Sequence, residues 1–597
     1  MRMRWVFAIF ASFALSQRCP GPAAPASFGI ADAGVAADDF VPDGEVTYAL
    51  PLLSDSEKRG VERTLSSWRV AKRIDEYRTK TKEMYYHALN GYLTHAYPKD
   101  ELMSISGQGI DTIGNFSLTL IDAIDTAMVM GDKRLFKSLI PLIRDIDFNI
   151  NVNVSVFETN IRVVGGLLSA HMMAISDSDL LHSYDWSLLD KAEDLARRLL
   201  VAFDTPTGIP FGTVNLQRGV AKDETPDVCT ACAGTFSLEF AWLSLLTEDP
   251  AFEIAARKAV RAVWTRRSPV DLLGNHINSE TGAWVYPECT IGGLVDSFYE
   301  YLLKSSVGFA DEREYGEYFL QAYRAVKMHM KRGDWHMDVH MQDGRLLRPF
   351  FYSLGAFWPG VKIMAGDVAE AMYELNAISE VMRLGWFLPE ALSLEDPARI
   401  VEGREAYPLR PEYVESLWVA YRATKNPTIL EAAFEVVDRL NKYSRTKYGF
   451  ANVKNVVTLE LEDKMESFFV AETLKYLYLL FDENNQFNRG NYVFNTEAHP
   501  FPVWDTYKSL SHPFEPGTRS FKAKWIPGFA PDTEYRGDTL DAVVSGFATR
   551  GGGICLREDW ERAKGINVER WRGKMFLGKK GGKKVKKMKK RRKASEV

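Results

Sequence analysis

The chain has 597 residues, 46% hydrophobic and 12% aromatic, a composition that supports a large packed core and excludes a chain without one. Its five cysteines are few for an extracellular protein, too few to hold a chain of this length mainly by disulfides. Net charge is −5, yet the last stretch, KKGGKKVKKMKKRRKASEV, is strongly basic, so the remainder is clearly acidic.

In chain order, the N-terminus MRMRWVFAIFASFALSQRC sets basic residues before a short apolar run that ends in small and polar residues. That is the pattern of a secretory signal, expected over 1–20 and too short for a comfortable membrane span, with an uncleaved anchor as the alternative. No other stretch is long and apolar enough to cross a bilayer, so no transmembrane span is expected. The sequons Asn115-Phe-Ser and Asn153-Val-Ser agree with secretory entry. Entry into that pathway argues against nuclear targeting by the basic tail, so no nucleic-acid partner is expected. Residues 21–67, rich in Ala, Asp and Pro, read as a linker.

Ordered structure is expected from Trp68. From there to about residue 500 the segments, among them FSLTLIDAIDTAMVMG, SLLDKAEDLARRLLVAF and FEIAARKAVRAVW, carry apolar residues at three- and four-residue spacing. Punctuations such as DTPTGIP, SETGAW and TKNP separate them. Strand-like pieces are short and sparse. Successive amphipathic helices predict an all-α toroid or solenoid over 68–500, although no repeat of fixed period is visible. After 501 the pattern dissolves into Pro, Gly and charge; 501–573 read as an appendage and 574–597 as a basic, disordered arm.

Acidic residues recur where helices begin. YPLRPEYVES (407–416) sets Glu412 and Glu415 beside Arg410, and Pro411 suits the first turn of a helix on which the two glutamates share a face. Glu158 stands one turn before Arg162 among apolar neighbours, where burial would make a carboxylate costly unless paired or functional. Asp296 precedes the aromatics of VDSFYEYLLK; Glu466 and Glu472 bracket Phe468; Thr496 and Glu497 precede His499. Glycoside hydrolysis needs two carboxyl groups on opposite sides of the scissile bond, one protonated and one ionised. A helical toroid can deliver such groups from distant segments to one cavity. Cys229-Thr-Ala-Cys232 has the spacing of a redox pair, a tight disulfide or half a metal site, and the lack of a second such pair argues against zinc.

At these residues the chain resembles glycoside hydrolase family 47, the class I α-1,2-mannosidases of the secretory pathway. The resemblance runs from about Lys82 to His499 and rests on FSLTLIDAIDTAMVMG, FETNIRVVGGLLSAH, VDSFYEYLLK, YPLRPEYVES, DKMESFFVAETLKYLYLLF and FNTEAH. It implies an (α/α)7 barrel with a deep acidic pocket. It implies Glu158 as general acid, Asp296 as a second acidic residue and Glu412 as the base that activates water. Arg162, Arg410, Glu415, Phe468, Glu472 and Glu497 match positions lining the terminal-mannose subsite, and Thr496 matches the residue that holds a Ca²⁺.

SLGAFWPGVKIMAGDVAEAM resembles the ER degradation-enhancing branch more than the processing mannosidases. In that branch Cys229 has a counterpart, Cys232 looks additional, and Leu294 lies where residue choice bears on which mannose branch is accepted. The expectation is a Ca²⁺-dependent, inverting exo-α-1,2-mannosidase acting on high-mannose N-glycans of misfolded glycoproteins in the ER lumen, with a protein disulfide isomerase as a further candidate partner. The rival readings are a non-catalytic high-mannose lectin and a processing mannosidase of the Golgi or ER.

Overall fold

The expected helical periodicity becomes fourteen helices of seven residues or more among the described residues. The structure is a computed structural model that describes 68–503, except 310–312, 386, 396–398 and 490–491. The expected signal, the linker, the basic tail and nearly all of the appendage lie outside the described residues. In chain order the helices are α1 (Trp68–His95), α2 (Leu118–Val129), α3 (Lys133–Arg144), α4 (Gly165–Ser176), α5 (Ser187–Leu200), α6 (Ser237–Thr247) and α7 (Ala251–Trp264). They continue with α8 (Asp296–Gly308), α9 (Arg313–His329), α10 (Trp358–Met364), α11 (Val368–Leu384), α12 (Glu412–Thr424), α13 (Pro427–Arg439) and α14 (Leu474–Phe481).

From α2 onward, consecutive helices pack as hairpins, and α14 packs on α1 to close the ring. The first member of each hairpin faces inward: α2 meets α4, α4 meets α6, α6 meets α8, α10 meets α12, and α14 returns to α2. This is an (α/α)7 barrel.

The sequence of each helix fits its layer. All twelve residues of inner α2 are buried, whereas outer α3 buries only Phe136, Leu139 and Ile143, a stripe at three- and four-residue spacing. Capping residues set several starts. The Asp132 side chain accepts Leu135 N–H at 3.0 Å, and Asn426 accepts Thr428 N–H at 3.1 Å ahead of Pro427 in the first turn of α13.

Strands of two to four residues form small antiparallel ladders that aim the site segments. Asn153–Ser155 pairs with Thr213–Asn215 just before Glu158, and Tyr492–Phe494 pairs with Pro500–Pro502 around Thr496 and Glu497. The turn before α2 is gathered by one buried carboxylate. Asp100 Oδ2 accepts the N–H groups of Thr112, Ile113, Gly114 and Asn115 at 2.9–3.1 Å, and Oδ1 accepts those of Phe116 and Leu118 at 2.9 and 3.2 Å. Nothing in the sequence pattern marked that aspartate.

Candidate active site

A cavity of about 670 Å³ is lined by all ten residues that the family resemblance implies for the site: Glu158, Arg162, Asp296, Arg410, Glu412, Glu415, Phe468, Glu472, Thr496 and Glu497. Asp296 is the first residue of α8, and Glu412 and Glu415 lie in the first turn of α12, where a helix favours negative charge. Pro411 caps α12 from just outside rather than occupying its first turn. Two segments enter through π-helical turns, Thr159–Val164 after Glu158 and Phe469–Thr473 around Glu472. Such turns displace side chains from the ordinary helical register and recur at functional sites.

Arg162 is the hub of one side. Its Nε donates to Glu158 Oε2 at 2.8 Å, its Nη1 donates to Ser467 Oγ at 3.1 Å, and its Nη2 lies 3.5 Å from Glu497 Oε1. Phe468 lies under the same guanidinium, 5.3 Å from ring centre to Cζ. Ser467 Oγ donates onward to Asp122 Oδ2, which ties the site to the buried polar centre of the barrel. There Asp125 receives Lys475 at 2.7 Å and His499 Nδ1 at 2.8 Å, and His499 Nε2 lies 3.2 Å from Asp122. Burial works against a charged imidazole, but Asp125 and Asp122 push His499 up to about 9.

On the other side, Arg410 forks onto Glu390 at 2.6 and 2.9 Å and stays 3.8 Å from Glu412. Arg410 is therefore engaged mainly by Glu390. Burial pushes the Glu412 carboxyl up to about 7 against the opposing pull of Arg410, and burial pushes Asp296 up to about 7 as well. Glu415 and Glu497 also rise through burial, against Lys304 and Arg162 respectively, and Glu472 rises through burial and its carboxylate neighbours. The cavity thus concentrates carboxyl groups that hold protons near neutrality, as acid–base chemistry requires.

The turn carrying Thr496 and Glu497 is built by Asn495. Its side-chain oxygen accepts the N–H groups of Glu497 and His499 at 2.9 and 2.8 Å, and its amide donates to buried Glu239 at 2.9 Å. Ala498 takes the left-handed region, φ 58°, within this tight turn.

Glu466 does not line the cavity; it meets Lys464 at 2.8 Å and Asn452 at 3.1 Å. Several residues that shape the site were missed from sequence: Ser467, Glu390, Glu300 and Lys304. Glu300 lines the cavity, and Lys304 beside it reaches Glu415 at 3.4 Å. Their four-residue spacing after Asp296 was a usable signal for both; Glu390 offered none.

The profile of glycosyl hydrolase family 47 matches residues 84–503. The chain belongs to glycosyl hydrolase family 47. Among the relatives of this family 47 chain, it is 46% identical over 437 residues to Alpha-mannosidase I MNS4 of Arabidopsis thaliana, covering 72% of this chain and 70% of that one. It is 44% identical over 448 residues to human ER degradation-enhancing alpha-mannosidase-like protein 2, covering 71% and 77%. Its barrel superposes on the alpha-1,2-mannosidase from Trichoderma reesei with a TM-score of 0.67 at 26% identity, over 72% of this chain and 99% of that one. The resemblance to the ER degradation-enhancing branch is therefore carried by the full mannosidase barrel.

Proposed function

We propose that the chain is an inverting exo-α-1,2-mannosidase that trims high-mannose N-glycans of misfolded glycoproteins in the ER lumen and so commits them to degradation. The observation that carries this reading is the meeting of Glu158, Asp296 and Glu412, from three distant segments, in one acidic cavity. Glu412 takes a proton from the attacking water. Glu158, oriented by Arg162, gives a proton to the leaving oxygen, and Asp296 serves as its partner or as an alternative donor. The mannose ring rests against Phe468 while Arg162, Glu415, Glu472 and Glu497 address its hydroxyls. The relatives named for ER degradation and the secretory N-terminal pattern support the location, with a signal over 1–20 and a catalytic unit over 68–500. The partners are glycoproteins bearing these glycans, with a protein disulfide isomerase meeting the chain through its cysteine pair.

Ca²⁺ fits the residues present. Among the described residues no His, Cys, Asp or Glu cluster is arranged to hold a metal, but the cavity that Thr496 lines contains buried carboxylate oxygens without hydrogen-bond partners, Glu412 Oε2 and Glu497 Oε2. Such unpartnered carboxylate oxygens suit a hard cation. Thr496 would hold the ion through its hydroxyl and carbonyl oxygens, with water and sugar hydroxyls completing the shell. When bound, the ion supplies positive charge that orients the sugar and eases ring distortion.

The test is glycan mass after incubation of purified protein with an eight- or nine-mannose N-glycan, with and without a Ca²⁺ chelator. Stepwise loss of single hexoses that stops on chelation is expected. An unaltered glycan that still binds would overturn the enzymatic reading in favour of a lectin.

A further inference from the structure

Cys229 and Cys232 form a disulfide in the wall of the same cavity. Between them stands Ala231, whose N–H donates to Leu294 O at 2.8 Å. Leu294 lies two residues before Asp296 and takes the left-handed region, φ 80°, which L side chains adopt only when their surroundings hold them there. The neighbouring Thr230 anchors the same segment from behind. Its N–H donates to Asn275 O at 3.1 Å and its hydroxyl to Gly274 O at 2.6 Å. Further on, the Thr235 and Ser297 hydroxyls meet at 2.9 Å, directly after Asp296. The cysteine segment therefore grips the start of α8 on both sides of Asp296, and the disulfide brackets the amide that bonds Leu294 O.

We propose that the Cys229–Cys232 disulfide is a positioning element for Asp296, so that its reduction loosens the 292–296 loop and slows glycoside hydrolysis. The proposal rests on the hydrolase reading above for its effect on rate. Cys229 is buried and Cys232 half-buried, so an incoming thiolate attacks Cys232 Sγ. The disulfide breaks, a mixed disulfide forms on Cys232, and Cys229, whose Sγ accepts Cys232 N–H at 2.9 Å in the disulfide, leaves as a thiolate. A second thiol of the reductant then attacks the reductant sulfur of this mixed disulfide, forming the reductant's own disulfide and releasing Cys232 as a thiolate that takes up a proton. Two electrons and two protons pass to the protein, giving two cysteine thiols and one oxidised reductant disulfide. A glutathione pair or a dithiol protein supplies them.

The experiment uses the full chain equilibrated in glutathione buffers of opposite poise, with the state of Cys229 and Cys232 read by maleimide labelling and peptide mass. Reduction is expected to lower kcat for mannose release about tenfold with KM nearly unchanged, since the loop sets a reacting group rather than the sugar's resting contacts. Reoxidation restores the rate, whereas Cys232→Ala is slow in both buffers. Equal kcat in fully oxidised and fully reduced wild-type protein overturns the proposal. Hydrogen exchange over 288–297 gives a readout that does not depend on hydrolysis. Faster exchange after reduction supports the clamp even in a preparation that releases no mannose, and identical exchange in the two states overturns it.

Discussion

Arg162 and Glu158 lie four residues apart across a π-helical turn and meet at 2.8 Å, Nε to Oε2. The pair is half sheltered: Arg162 keeps 12% of its side-chain exposure and Glu158 keeps 34%. Burial alone would disfavour the cation, but Glu497, Glu158 and Asp122 hold it firmly charged. One guanidinium thus fixes Glu158, proposed as the acid, and Glu497, proposed for the sugar subsite, in a single geometry.

Replacing Glu412, the carboxylate proposed to activate water, by its near-isosteric amide should leave the cavity's shape intact. Glu412→Gln should lower kcat by about three orders of magnitude or more while retaining glycan affinity within a few-fold. Single-turnover assays and glycan titration separate the two effects. Turnover at the parental rate would remove Glu412 from the mechanism.

Ser467 acts through Arg162 rather than on the sugar. Ser467→Ala removes the acceptor of Arg162 Nη1 and leaves Asp122 Oδ2 without its hydroxyl donor. A loss of about tenfold in kcat/KM is expected, with partial recovery in Ser467→Thr, which restores the hydroxyl. Equal losses in the two variants would show that side-chain bulk, not the hydroxyl, matters there.

The raised carboxyl of Glu412 makes the stability of the barrel depend on pH. A carboxyl at about 7 when folded, against about 4.5 in the unfolded chain, binds more protons folded than unfolded between those values. Its contribution is most favourable below about 4.5 and declines as pH rises through about 7. Glu412→Gln removes that decline. In chelator, the variant should gain on wild type between pH 5 and pH 8, by on the order of 2 kcal/mol at pH 8. Thermal unfolding of both proteins at matched pH checks this, and a difference independent of pH would refute it.

Asp100 is a purely structural test. Asp100→Ala strands six backbone donors ahead of α2 and should destabilise the barrel by roughly 3 kcal/mol or more. Asp100→Asn, which keeps one acceptor oxygen, should fall between. The midpoint of urea unfolding measures both.

Much of the barrel was legible in the chain because helical periodicity is local. Inner segments such as α2 read as apolar almost throughout and outer ones such as α3 as a narrow stripe, and the spacing of apolar residues needs no distant partner to be seen. Glu412 and Glu415 could be placed on one helical face for the same reason. The choice of ion-pair partner was not legible. Arg410 has Glu412 two residues away, yet it takes Glu390, a residue from another segment whose two oxygens match its fork. Glu466 flanks Phe468 in sequence as Glu472 does, but beside the ladder at Asn452 it pairs with Lys464 and does not line the cavity. Ser467 is unremarkable in sequence and matters only because the π-turn after Glu158 brings Arg162 to it.

By itself the sequence determined where the helices lie, which face of each is apolar, and which motifs tie it to family 47, since these are properties of neighbouring residues. Only the tertiary structure decided which carboxyls share a cavity, how far burial lifts Asp296 and Glu412, and that Cys229 and Cys232 close on each other beside the loop leading to Asp296. The physical reason is ring closure: a carboxyl loses its water, and gains its neighbours, only when segments hundreds of residues apart converge on one space.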